Sequence, residues 1–451
     1  MMEDILQDKK YYKRALEIAW PAVFESFFIA LAGIIDTFMI SSLGPEAIAA
    51  IGLTTQPKFL AITSFFAISS AVSALVARRQ GEGDRRKANQ TLTTAIFISL
   101  IFVIITTILM IKFADPILVF AGSDDSTHRM AKEYFNVIML GLIFNAISMI
   151  INAAHRGAGN TRIAFITNLV SSIVNIFFNY LLIRGNLGFP ALGTKGAAIA
   201  TVIGTAVSTL MCFYSLTKKN SYLNFKEMAY GGLKISKTIS KEISNLGVNI
   251  FVEILSMRIG FFITALTAAR LGTDYFAIHN VGMNLLSLSF SLGDGMSVAV
   301  ITLTGNNLGA GRKDEAIRYG KACQHIGLIM GIIISLIFMI FGRFVFSLFF
   351  DDISIIEKSS IVIRYIGFIV IFQILQVIFG GSLRSAGDVR YTLFVAIISV
   401  TIVRSVATLV LVNILKLGLD GIWIAILTDQ ASRFIGLRHR FKQGKWVDLK
   451  I

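Results

Sequence analysis

Long apolar stretches separated by short polar ones run along the chain from end to end. Most of them reach the ~20 residues that a helix needs to cross the hydrocarbon of a bilayer. In that medium every backbone amide must find its partner inside the segment, so such stretches form helices and not open sheet. Twelve spans are predicted, near residues 16–43, 50–77, 90–113, 130–154, 162–184, 195–217, 242–270, 275–305, 317–342, 359–382, 391–415 and 418–438. The connections are short except for 218–241, KKNSYLNFKEMAYGGLKISKTISK, which is polar and rich in lysine. The expected fold class is an all-α membrane protein with an N-lobe over 1–217 (helices one to six), a cytoplasmic linker over 218–241 and a C-lobe over 242–451 (helices seven to twelve).

Composition agrees with this pattern. Of 451 residues, 55% are hydrophobic and 15% charged, with mean hydropathy +0.72, whereas soluble domains carry about 25% charged residues. The charged start, MMEDILQDKKYYKR, leads straight into the first span, so no cleavable signal peptide is expected. A net charge of +15 would suit a nucleic-acid partner, but its distribution does not. Loops on the N-terminal side hold 28 Lys and Arg, those on the other side hold 10, and Lys58, Arg258, Arg404 and Arg433 lie within spans. An excess of positive loops marks the cytoplasmic face, so both termini are expected in the cytoplasm, with the chain in the cytoplasmic (inner) membrane. Cys212 and Cys323 lie in apolar segments and the five histidines are scattered. Neither pattern suggests a disulfide or a metal site, and no nucleophile–base set among the spans suggests an enzyme.

The two halves match at one offset, 228 residues. GEGDRRKA at 81–88 aligns with GAGRKDEA at 309–316, RGAGN at 156–160 with RSAGD at 384–388, and SLGPEAIA at 42–49 with RLGTDYFA at 270–277. Glu25 aligns with Glu253. Six spans per unit is an even number, so both units enter from the same side and the bundles are expected to be related by a pseudo-two-fold axis along the membrane normal. Parallel repeats of this kind are a transporter architecture.

Polar groups inside the spans carry the candidate chemistry. Asp36 lies in the outer part of the first span, and an ionised side chain inside a span costs free energy, on the order of 2.5 kcal/mol or more at its centre. Asn175 and Asn179 lie at i and i+4 on one face of the fifth span, at the depth of Asp36. One carboxylate and two amide oxygens could carry a proton or coordinate a small cation such as Na⁺; the alternative is a hydrogen-bonded network locking helices one and five. Thr201 reaches the same level and either adds a hydroxyl or bonds back to its own helix. Pro21 is either a first-turn proline or a kink. Glu25 lies eleven residues before Asp36 on the same face, about 16 Å away, and could meet a cation or reach to the interface. In the second half, Thr264 stands opposite Asp36, and Val403 and Ala407 opposite the asparagines, so the cation cluster belongs to the first half alone. Glu253, Arg258, Asp294 and Arg404 are expected to form buried ion pairs, as are Asp429 and Arg433.

The loop Asp84-Arg85-Arg86 echoes the major facilitator signature only in part. The chain resembles more closely the multidrug and toxic compound extrusion (MATE) family, over nearly its whole length. The resemblance rests on Pro21 with Asp36, LGPEAIAAIG, RGAGNTR, NIFFNYLLI, GTKGAAIAT, GNNLGAGRKDEA, RSAGDVR and RFKQGKW. It implies a two-lobed antiporter that exports amphipathic organic cations, drugs or toxins, in exchange for H⁺ or Na⁺ by alternating access. It also implies a cation site at Asp36, Asn175 and Asn179, to which Thr201 is added by its depth, a functional acid at Glu253, beside Glu25 as the other candidate acid for substrate by its helix face, and a hinge at Pro21. Some members carry Asp at the position of Asn179 and an acid near Gln373 and Gln376. No cofactor is expected beyond the coupling ion, no metal beyond that Na⁺, and no partner beyond substrate and lipid, with the chain a monomer. The rival is a lipid-linked precursor flippase of the same superfamily, which needs central arginines; here Arg258 and Arg404 lie only in the second half.

Overall fold

The structure, a computed structural model, describes residues 2–218, 221–230, 235–350 and 352–449. Among them there is no strand. Twelve long helices follow one another: α1 Met2–Ser41, α2 Pro45–Gly81, α3 Arg85–Lys112, α4 His128–Gly157, α5 Thr161–Arg184, α6 Gly193–Thr217, α7 Lys237–Arg270, α8 Thr273–Gly309, α9 Lys313–Ser347, α10 Ile353–Ser385, α11 Val389–Ile414 and α12 Gly418–Lys442. Eleven of these, α1 to α11, contain a stretch long and apolar enough to cross a membrane. The twelfth keeps the length, but Asp420, Asp429 and Arg433 interrupt its apolar run. Most helices overrun the apolar stretches read from the sequence, because charged ends such as Arg78 and Arg79 continue the helical hydrogen bonding. Within α11 two stretches, Ile397–Arg404 and Val410–Ile414, widen to π-helix.

The chain forms two compact units, one of Phe24–Gly247 and one of Met1–Val23 with Val248–Ile451. The division falls inside α1, three residues after Pro21. Helix α1 begins at Met2, so Pro21 is an interior proline and not a first-turn one. Its missing N–H leaves the Glu17 carbonyl without the usual helical partner. The first part of α1 packs through Ala15, Ile18 and Ala19 into the core of the second unit, beside Met296, Val300 and Ile366. Each unit, taken by itself, is built the same way. In one, α4 packs on α2, α3 and α6, and α6 packs on α5; in the other, α10 packs on α8, α9 and α12, and α12 packs on α11. Residues 219–220 and 231–234 of the linker lie outside the described residues. Described linker residues are tied to α3: Arg85 donates to the Ser221 carbonyl (2.7 Å) and Asn89 to that of Tyr222 (3.1 Å).

The repeated loop motifs are helix ends. Gly83 and Gly159 in one unit, and Gly311 and Gly387 in the other, have φ of 74°, 76°, 73° and 85°. That left-handed conformation closes a helix cheaply only without a Cβ. The following N–H in each case bonds five residues back: Asp84 to Arg79, Asn160 to His155, Arg312 to Asn307 and Asp388 to Leu383, at 3.0, 2.9, 2.8 and 2.9 Å. Asp84 then caps α3 by accepting from the Lys87 amide at 2.9 Å. The fourfold use of one device explains why these short motifs recur at a constant offset.

Lipid is as apolar as a leucine side chain, so helices in a bilayer associate through close packing. Small residues allow it here. A Cβ added at Gly196 would lie 2.4 Å from the Leu182 carbonyl oxygen, and one at Gly204 would lie 2.7 Å from that of Ser171 and 3.1 Å from the Asn175 Cβ. The backbones of α5 and α6 therefore touch, and this contact sets Asn175 and Thr201 against each other.

Candidate functional site

Asp36, Asn175, Asn179 and Thr201 meet, as their depths predict, although they come from α1, α5 and α6. Asn179 donates from Nδ2 to Asp36 Oδ1 at 2.7 Å. The Asn175 amide satisfies both of its ends when its nitrogen faces the carboxylate, 2.8 Å from Oδ1 and 3.2 Å from Oδ2, and its oxygen accepts from the Thr201 amide and hydroxyl at 3.1 and 3.2 Å. The Thr201 hydroxyl is also 3.0 Å from the Ala197 carbonyl, so its single proton is shared between its own helix and the Asn175 oxygen. Asn175 is buried, and Asn179 is only 1% exposed. Even so, Asn179 Oδ1 has no hydrogen-bond donor among the described residues. Asp36 is half-buried. The cluster thus holds a carboxylate by two amide N–H groups and leaves one buried amide oxygen without a donor among the described residues, an arrangement able to receive a proton or a small cation.

Glu25 and Glu253 are placed differently. Glu25 is 7% exposed and does not reach out to the surface; its Oε1 accepts from Arg156 Nη1 at 2.9 Å and from Asn168 Nδ2 at 2.6 Å. Glu253 is 4% exposed, and it accepts from Arg384 on Oε1 and from Thr392 Oγ1 on Oε2 at 3.0 Å. Arg156 and Arg384 are the arginines of RGAGN and RSAGD and stand 228 residues apart, like the two glutamates. Each unit therefore carries the same internal pair, between its first helix segment and the capped end of the fourth helix of its repeat.

A sequence profile described as MatE matches residues 21–181 and, a second time, residues 250–410. The chain belongs to the MatE family. The double match also makes the internal repeat explicit. Over 434 residues the chain is 27% identical to a protein of Thermotoga maritima named "Probable multidrug resistance protein NorM", covering 96% of this chain and 93% of the relative. A protein of the same name from Halalkalibacterium halodurans is 26% identical over 447 residues, covering 98% and 95%. A crystal structure of MATE in complex with MaL6 superposes with a TM-score of 0.88 at 23% identity, over 96% of this chain and 97% of the other. The chain is a multi-pass membrane transporter with the MatE fold.

In this MatE chain two of the charges of the second half, Arg404 and Glu253, pair outside the group expected for them. Arg404, 1% exposed, donates from Nε to Thr264 Oγ1 at 3.0 Å, lies 3.4 Å from Asp429 through Nη1, and stacks over the Phe261 ring at 4.7 Å. Arg433 closes on Asp429 at 3.1 Å, which is the expected pair enlarged by a third member. Glu253 pairs with Arg384 and not with Arg258 or Arg404. Thr264, the counterpart of Asp36, accordingly faces a built-in guanidinium. Gln373 and Gln376 are buried.

Two groups near Asp36 escaped the sequence reading. Lys58 of α2 interacts electrostatically with Asp36, and its Nζ lies 6.0 Å from the centre of the Tyr134 ring of α4. Lys58 counts in the sequence as one charge within a span; only its depth, thirteen residues into α2, hinted at the level of Asp36.

Proposed function

We propose that the chain is a secondary antiporter that exports amphipathic organic cations in exchange for H⁺ or Na⁺ by alternating access. It would work as a monomer in the cytoplasmic membrane with both termini in the cytoplasm, its N-lobe, linker and C-lobe divided near 217 and 242. The observation that carries this reading is the Asp36 carboxylate, inside a span, held by two asparagine amides beside a buried oxygen without a donor. Two relatives named as multidrug resistance proteins support the substrate class. Loading Asp36 with H⁺ or Na⁺ removes its negative charge, and that change is what a bilayer environment makes energetically decisive. Asn175, Asn179 and Thr201 supply the remaining ligands. Pro21 lies next to the point where α1 leaves one unit for the other, which suits a hinge. Glu25 and Glu253 serve as second acids only in exchange for Arg156 and Arg384, since a substrate cation must displace the arginine first. Arginines at the centre of a flippase would have to be free for pyrophosphate, whereas Arg404 and Arg433 are tied to Asp429.

The test is efflux of a fluorescent organic cation from vesicles with an imposed H⁺ or Na⁺ gradient. One of the two gradients should drive wild-type efflux, and Asp36→Asn should abolish that drive. Gradient-driven efflux by the variant at the wild-type rate overturns the assignment.

A further inference from the structure

Lys58 has neither a hydrogen bond nor an ion pair with any described residue, although it lies within the membrane-length part of α2 and is only half exposed. An ammonium carries three donors, and burying it without acceptors is costly. Its Nζ lies 6.0 Å from the centre of the Tyr134 ring, at the limit of a cation–π interaction. In the cluster of Asp36, the buried Asn179 Oδ1 lacks a donor, and Asp36 interacts electrostatically with Lys58. An ammonium without acceptors and an amide oxygen without a donor are complementary. Helix geometry favours their meeting: Lys58 projects back toward the start of α2, and α2 begins directly after the end of α1, which carries Asp36.

We propose that Lys58 is a tethered cation that competes with the coupling cation for Asp36 and Asn179 Oδ1. When the site is loaded, the ammonium stands off against Tyr134. When the site is empty, it closes on the carboxylate and the free amide oxygen, so that release of the coupling cation does not strand a bare charge in the membrane. A cation entering the site must displace Lys58, and its affinity is lowered by that work. This inference rests on Asp36 being the cation site.

The experiment is equilibrium binding, to the purified full chain in detergent, of whichever cation drives efflux, read as bound radiolabelled Na⁺ or as proton uptake with a pH-sensitive dye, comparing wild type, Lys58→Gln, Lys58→Arg, Asp36→Asn and the double variant Lys58→Gln/Asp36→Asn. Removing the competing unit charge should tighten cation binding ~10-fold or more. Lys58→Arg keeps the charge and should stay near wild type, and Asp36→Asn should remove the gain made by Lys58→Gln. Lys58→Met, which keeps the apolar stem, replaces Lys58→Gln if that variant does not fold. Equal affinities in wild type and Lys58→Gln, both lowered by Asp36→Asn, overturn the role of Lys58 and leave Asp36 standing. Equal affinities in all the variants overturn the Asp36 site and the inference together.

Discussion

The duplicated glutamate–arginine pair makes a quantitative prediction about what holds each unit together. Glu253 is 4% exposed, with one oxygen held by Arg384 and the other by Thr392. Arg384→Ala removes the counter-charge and leaves a buried carboxylate with one hydroxyl. Breaking a buried pair by removing one partner costs about 3–5 kcal/mol, because the remaining charge is uncompensated. The arginine is a quarter exposed at its side chain, so water reaches the vacated place and the low end, about 3 kcal/mol, is expected. For a unit of this size that corresponds to a loss of ~6–12 °C in melting temperature. The double variant Glu253→Gln/Arg384→Ala should recover most of the loss, since a neutral amide still accepts from Thr392 and no charge is stranded. Cys212 and Cys323, both 0% exposed, provide the readout: a thiol-reactive fluorogenic dye labels them as the chain unfolds. A double variant no more stable than Arg384→Ala would refute the reasoning, because it would show that the cost lies in lost arginine packing and not in the bare carboxylate.

Further outcomes follow from the same geometry. Gly204→Val should destabilise the chain by about 1–3 kcal/mol and weaken cation binding without removing a ligand, because its side chain would push on the Ser171 backbone and on Asn175; melting and Na⁺ binding check the two effects. Asp429→Asn leaves Arg404 and Arg433 without a counter-charge at a fully buried position and should cost about 3 kcal/mol or more, whereas Asp448→Asn, which breaks the exposed pair with Lys313, should cost below about 1 kcal/mol. In the loop before α4, the side chains of Thr127 and Ser126 and the Thr127 amide hold the Asp124 carboxyl down to about 2. A depressed folded value means that this turn is fully supported above the ordinary carboxylate range, near 3.9, and loses that support as pH falls through about 2. Hydrogen exchange at the Thr127 amide should stay protected down to about pH 4, weaken from there as pH falls, and be lost below about pH 2; Asp124→Asn should show no such pH step.

Much of this protein could be read along the chain. Twelve long helices, eleven of them with an apolar run fit to cross a membrane, follow the blocks of the sequence, because the bilayer acts on each segment alone and demands that its backbone be satisfied internally. The repeat is visible for a related reason: Gly83, Gly159, Gly311 and Gly387 each close a helix through local φ, so the same short motif had to recur. Depth along a span is also a local count, which is why Asp36, Asn175, Asn179 and Thr201 could be brought to one level before their contacts were known. Which side chains touch was a different matter. Glu25 and Arg156, like Glu253 and Arg384, stood in register in the sequence, yet nothing there joined them; Lys58 was a stray charge, and nothing brought Arg404 to Asp429. Such contacts depend on the rotation of each helix about its own axis and on its distance from its neighbours. Those quantities are set by lateral packing, as where Gly204 admits the Ser171 backbone, and lateral packing belongs to no single segment.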